Sequence, residues 1–314
     1  MTEPADRDPD TYYDLRHGFA WRAIRRDALM VAGADARSWL QGQVSNDLDP
    51  LEAGGSAWAL LLSPQGKVDS FVRVSLLDGA EYLIDAPEGA GPALMDRLRR
   101  FKIRVKADLR LVEDLVAVEV RGPAAAAVAL SSAIHTAAVD WPGYGGLDLL
   151  CRAGPDEVTS SAARSFGTMA GCAEDFSAAR IESGWPSLGA EITDRTIPQE
   201  LGEQFLSVSV SFTKGCYTGQ ELVARLDARG SKVARRLRGV VIESGPGAHV
   251  APVAGDKLVV DGAEAGELTS VAYSRGLGAY VALAYVKRAV TLPGEGTAGP
   301  GSSPAVVRQL PLAE

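Results

Sequence analysis

The chain has 314 residues, 46% of them apolar and 23% charged, an ordinary globular composition with room for two or three domains. Its formal net charge of −8 argues against broad binding to nucleic acid or anionic membranes, although a local basic patch stays open. No apolar run approaches the roughly 18 residues of a membrane-spanning helix.

In chain order, the first ten or so residues are acidic, contain proline and read as disordered. They carry neither the basic nor the apolar part of a signal peptide. Trp21 to Val31 reads as a strand, and a short helix is predicted from about Asp35. From Ala57 to Asp85 the pattern is strand, turn, strand, turn, strand, with Pro64-Gln65-Gly66 and Asp78-Gly79 as turns. Val72, Val74 and Leu76 alternate there with Arg73 and Ser75. PALMDRLRRFKI is an amphipathic helix suited to cover that sheet, and AVEVRGPAAAAVAL reads as a strand entering a helix near Pro123. Two further helices are predicted within 156–183. Beyond Arg238, LRGVVIE, DKLVVDG, GELTSVAYS and AYVALAYV are short strands at even spacing, as in a small antiparallel barrel or sandwich. The tail from Thr297 onward is loosely composed and has no assigned element.

The stretch KGCYTGQELVAR, residues 214–225, stands apart. SVSVSF before it alternates like a strand, Thr218 and Glu221 have the spacing of a capping box, and ELVARL follows as a helical run. Cys216 is therefore predicted in a strand-to-helix turn, where Lys214 and the helix dipole favour thiolate. A small buried residue in a tight turn is the alternative that local physics leaves open. Cys151 and Cys172 lie in apolar or helical settings without basic neighbours and read as structural. Three scattered cysteines form neither a disulfide framework nor a metal clamp, which points to a reducing cytoplasmic setting.

KGCYTGQELVAR resembles the signature of the YgfZ-type folate-binding iron–sulfur maintenance proteins, relatives of the glycine-cleavage T-protein (aminomethyltransferase). VAGADARSWLQGQVSNDL, ARIESGWPSLGAEITDRTIPQE and GELTSVAYSRGLGAYVALAYV resemble further segments of that family, in order, from about Leu29 to Val286. The resemblance implies an α+β, three-domain ring around a folate-sized hole. Its parts would be a discontinuous folate-binding domain at 1–50 with 113–232, a sheet domain at 51–112 and a C-terminal β-barrel domain at 233–314. It implies tetrahydrofolate or a one-carbon derivative as ligand, with no permanently bound iron–sulfur cluster. It further implies iron–sulfur client enzymes or assembly factors as partners, and no direct contact with nucleic acid or membrane.

Residue by residue, R-x-E-x-G-x-P is matched by Arg180, Glu182, Gly184 and Pro186, and P-x-E by Pro198 and Glu200. The resemblance makes Glu200 the partner of the pterin, since a carboxylate accepts two parallel N–H bonds from an aminopyrimidine edge. Arg180, Tyr217, Gln220 and Arg225 join it on the folate, while Cys216, assisted by Lys214, is the functional thiol. Arg180 with Glu182 reads equally as an ion pair on a helix, and Arg225, Arg229 and Lys232 equally as a solvated connector.

One departure matters. Where the aminomethyltransferases carry an aspartate pair, this chain has Ser70 and Phe71, with Asp69 one position earlier. A one-residue shift on a strand turns a side chain to the other face, so aminomethyl transfer is not expected. The alternatives are a folate-dependent one-carbon transferase or demethylase, favoured if Asp69 enters the pocket, and an interaction module with a structural thiol.

Overall fold

The computed structural model describes residues 10–167, 170–243 and 250–313, so the N-terminal stretch read as disordered lies outside it. Helix α1 (Thr11–His17), capped by the Asp10 carboxylate, leads into the long strand β1 (Ala20–Ala32) and the short helix α2 (Ala36–Gln41). Strands β2 (Ser56–Leu62), β3 (Val68–Leu76) and β4 (Tyr82–Pro87) follow as the turn signals predict, and α3 (Gly91–Arg100) buries Leu94, Met95 and Leu98 against them. Strand β5 (Asp108–Arg121) precedes β6 (Ala133–Val139) and β7 (Gly146–Arg152). The helix expected after Pro123 is only a three-residue 3-10 turn, Ala125–Ala127. Helices under about 12 residues are marginal without an apolar face to bury, and of Ala125–Ala127 only Ala125 is buried.

The seven strands form one sheet in the order β2-β3-β4-β1-β5-β7-β6, so the 51–112 segment joins the rest edge to edge through β1 and β4. Arg73 on β3 and Asp148 on β7 lie four strands apart, about 19 Å in a flat sheet. Their side chains nevertheless meet at 2.6 Å. Ser56 and His135, on the two edge strands, hydrogen-bond at 2.7 Å. The sheet is curled into a trough that buries its inner face.

Helices α4 (Pro155–Phe166) and α5 (Ala173–Glu182) lie where the sequence predicts them. After a 3-10 turn at Pro198–Leu201 comes α6 (Glu203–Ser209), which buries Phe205, Leu206 and Ser209. It takes in the start of SVSVSF, expected as a strand, while Val210 to Phe212 follow outside any helix or strand. Helix α7 (Gln220–Asp227) completes this part. The remainder is a closed antiparallel barrel, β10-β11-β8-β13-β12-β9. Its strands are β8 (Arg235–Ile242), β9 (Lys257–Val260), β10 (Ala263–Ser274), β11 (Ala279–Lys287), β12 (Gly294–Ala298) and β13 (Ser303–Arg308). The tail left unassigned thus supplies the end of β12 and all of β13, without which the barrel would have open edges.

Candidate functional site

The KGCYTGQE segment is a loop anchored at three points. Lys214 turns inward and its Nζ donates to the carbonyls of Gln41, Val44 and Asn46 at 2.7, 2.9 and 2.7 Å. Burial pushes its pKa down to about 8, a shift that Asp47 and Asp49 partly oppose. Tyr217 is buried in the central core beneath that ammonium, and burial raises its pKa to about 12. Gly219, at φ +82°, presses on the β2–β3 turn so closely that a Cβ there would run into the Ser63 carbonyl oxygen. Gly219 is also the N-cap of α7, and no side chain caps that helix, so the capping box predicted at Thr218 and Glu221 does not form. Instead the Thr218 N–H donates to Gly42 O at 3.1 Å. Gln220 accepts only a long bond from the Tyr217 N–H, 3.4 Å. Cys216 is exposed on this anchored loop, Cys151 is buried, and Cys172 is half-buried with its thiol donating to Glu174 at 2.7 Å.

Glu200 is buried on the turn before α6, and its carboxylate accepts the fork of Arg235 at 3.0 and 3.2 Å. Arg235 also stacks over Tyr285 at 4.3 Å. Arg180 and Glu182 do not pair with each other. Arg180 donates to Trp185 O, to Glu191 and to Ser270, bridging α5 to the barrel. Glu182 accepts from Tyr12 and Tyr144, the latter at 2.5 Å. The fully buried Glu191, which sequence reasoning missed, gathers Arg180, Ser187, Thr269 and Ser270. Arg225 is exposed on α7. The structure brings Lys214, Cys216, Tyr217 and Gln220 together, joins α7 to the Glu200 turn through Gln199 Nε2 on Val223 O, and places Arg180 between the barrel and a cavity beside Trp141 and Trp185.

The trough holds what the sequence reading passed over. Arg26, Asp85, Arg73, Asp148, Arg121, Glu119 and Arg22 alternate in sign across its inner face, with contacts of 2.6–3.6 Å. Burial opposes the charge on Asp148, yet Arg121, Arg73 and Arg26 hold its carboxyl down to about 2. Over this ladder lie Trp58, Phe71, Trp141, Trp185 and Phe205, with neighbouring ring centres 4.9–6.2 Å apart. A cavity of about 100 Å³ opens between rings and ladder, lined by Trp58, Phe71, Trp141, Trp185, Arg121 and Asp148 among others. Trp141 Nε1 and Arg121 Nε are buried beside it without a hydrogen-bond partner. Phe71 belongs to this aromatic group, whereas Asp69 stands outside it and pairs with Arg97 at 2.9 Å. Among the described residues no three His, Cys, Asp or Glu side chains converge as a metal site, and no helix is long and apolar enough to cross a membrane.

A sequence profile described as "Glycine cleavage T-protein C-terminal barrel domain" matches residues 235–305, the barrel. The structure of "glycine cleavage system aminomethyltransferase T from Bartonella henselae" superposes with a TM-score of 0.74 at 18% identity, covering 96% of this chain and 88% of that one. That likeness shows the fold. A "tRNA-modifying protein YgfZ" of Klebsiella pneumoniae (strain 342) is 31% identical over 241 residues, 73% of this chain and 72% of its own. The protein of that name in Edwardsiella ictaluri (strain 93-146) is 32% identical over 216 residues, 64% of each chain. An uncharacterized protein of Haemophilus influenzae is 27% identical over 206 residues, 64% of this chain and 66% of its own. The chain thus spans about two thirds of the length of the curated relatives it matches.

Proposed function

The chain belongs to the YgfZ family, and from that premise we propose that it binds a reduced folate and supports iron–sulfur enzymes through the thiol of Cys216. The observation that carries the proposal is the exposure of Cys216 on a loop whose other motif residues are engaged in holding it: Lys214 by carbonyls, Tyr217 by the core, Gly219 by close approach. A cysteine needed for packing would be buried, as Cys151 is. A lone thiolate supplies one of the roughly four ligands a cluster takes, so its contact with a cluster or client is transient. The relatives' name, "tRNA-modifying protein", fits support of an enzyme acting on tRNA.

For the folate, the aromatic cavity suits a flat heterocycle, and the unpartnered nitrogens of Trp141 and Arg121 are donors awaiting acceptors. When bound, a reduced folate supplies one-carbon chemistry at its ring nitrogens. Trp58 and Trp185 would flank the ring, and Arg121 would donate to it. Glu200 does not line that cavity and is held by Arg235, so a role on the pterin would need Arg235 to yield its fork and the ligand to extend toward the Glu200 turn. The pairing of Asp69 with Arg97, outside the aromatic group, supports the absence of aminomethyl transfer.

The test is a deletion strain assayed for several iron–sulfur enzyme activities. The natural chain should restore them and a stably folded Cys216→Ser variant should not; equal rescue would refute the thiol. Calorimetry with tetrahydrofolate should show binding that Glu200→Ala weakens by about 1.5–3 kcal/mol. Unchanged affinity would remove Glu200 from the site.

A further inference from the structure

The barrel has an end that the proposed folate and thiol sites do not use. Along β8, Val240 and Ile242 point into the barrel core, and so do Ala282, Ala284 and Val286 on β11. Side chains two apart share a face of a strand, so Arg238 and Arg236 continue the inward row of β8 to the barrel's mouth, and Arg288 continues that of β11. Gln309 follows Val307 inward in the same way, and its Oε1 accepts from Arg238 at 2.8 Å. The mouth is a cavity of about 290 Å³. Val286, Val290 and Leu292 form its floor, continuous with the barrel core, and Lys232, Lys287 and the three arginines ring it.

Four cations, Lys232, Arg236, Arg238 and Arg288, face this cavity against one carboxylate, Glu203, in a chain whose net charge is −8. Lys287 at its wall turns its ammonium out to Glu264 O. Glu203 pairs with Arg236 at 3.1 Å, but its side chain is 80% exposed. Among the described residues Lys232 and Arg288 have no acidic partner, and Arg238 donates to the amide oxygen of Gln309 while Glu203 acts on it from further off. Burial, and then the neighbouring Arg236, push the pKa of Arg238 below the usual value for arginine. Like charges crowded at the mouth of an apolar barrel are a standing repulsion that the described residues do not neutralise. Barrel mouths are also common ligand sites.

The structure assigns this mouth to a compact oligophosphate-bearing ligand above the apolar floor. Its phosphates take the guanidinium of Arg238 and draw that of Arg236 from Glu203 and the Ser231 carbonyl, which hold it at 3.1 and 2.8 Å. The excess of cations over carboxylate selects the class. A terminal phosphate group carries about −1.5 to −2 at neutral pH, about twice a carboxylate, and each bridging phosphate adds a further charge, so an oligophosphate concentrates several charges in a small cavity. Guanidinium forks suit phosphate oxygens bidentately. The site is separate from the proposed folate cavity and from Cys216, neither of which lines it.

Inorganic tripolyphosphate is the probe, titrated into the full chain by calorimetry, with melting temperature as a second readout. Binding that weakens with salt is expected, and Arg238→Gln should weaken it by roughly tenfold or more. In case that variant folds poorly, the double variant Lys232→Gln, Arg288→Gln alters two exposed side chains and should weaken binding as well. Glu203→Gln, by removing the one carboxylate, should tighten it, and Cys216→Ser should leave it unchanged. Three results would overturn the assignment: no binding at millimolar tripolyphosphate, binding that survives both cationic variants, or tighter binding of tri-γ-glutamate or of a single-stranded RNA at the same residues.

Discussion

Replacing Lys214 by methionine keeps the apolar stem and removes the ammonium from Gln41, Val44 and Asn46. Charged donors contribute about 1.5–3 kcal/mol per hydrogen bond. Two of the three acceptors are only partly buried and would regain water. A gross loss of about 5–7 kcal/mol follows. Against it stands the burden of the buried charge: a fall from 10.5 to about 8 costs about 3 kcal/mol at about 1.4 per pH unit. The net loss is then about 2–4 kcal/mol, to be read as a lower urea midpoint at unchanged slope. The sign with pH is also fixed. Between about 8 and 10.5 the unfolded chain holds the lysine proton and the folded chain has released it, so the natural chain gains stability on the variant as pH rises. An unchanged midpoint, with rescue of the deletion strain lost, would refute this reasoning: the ammonium would be acting in chemistry rather than holding the loop.

Gly219→Ala combines a left-handed backbone with a clash on Ser63 O, and should destabilise by about 2 kcal/mol or more while moving the loop, seen as a changed alkylation rate at Cys216. Arg73→Met takes one of two arginine partners from each of the buried Asp85 and Asp148, leaving them Arg26 and Arg121, and should cost about 3 kcal/mol in urea unfolding; a cost under about 1 kcal/mol would mean that the ladder is hydrated. With iodoacetamide, peptide-level mass spectrometry should find Cys216 labelled first, Cys172 more slowly, and Cys151 only on unfolding; labelling of Cys216 only in denaturant would contradict its exposure.

Much of the fold was legible because its signals are local. The β2–β4 meander is marked by its turns, α3 by its amphipathic face, and four barrel strands by even spacing. The misses were non-local. SVSVSF alternates like a strand, but its first residues close a helix set by the burial of Phe205 and Leu206 just before them, and its last three belong to no element. Arg73 and Ser75 alternate with apolar residues as if facing water, yet both are fully buried because the curl of the sheet gives its second face a core as well. Nothing within β3 reports that curl. The KGC motif stood out by composition, but whether its lysine serves the thiol or the backbone depended on Gln41, Val44 and Asn46, some 170 residues away.

Strand β1 lies in the middle of the sheet, between β4 and β5. Ala20 pairs with Arg121, so during synthesis β1 waits for about a hundred further residues before its second edge is covered. At about 5–20 residues per second that wait lasts roughly 5–20 s on the ribosome. During it, the apolar stretch Ala28–Val31, fully paired in the finished protein, presents open strand edges to the surroundings. The flanking Arg22, Arg25, Arg26 and Asp27 then have a second use besides the ladder. Charges beside an unpaired apolar strand discourage intermolecular pairing, so the nascent chain carries its own protection until β5 arrives.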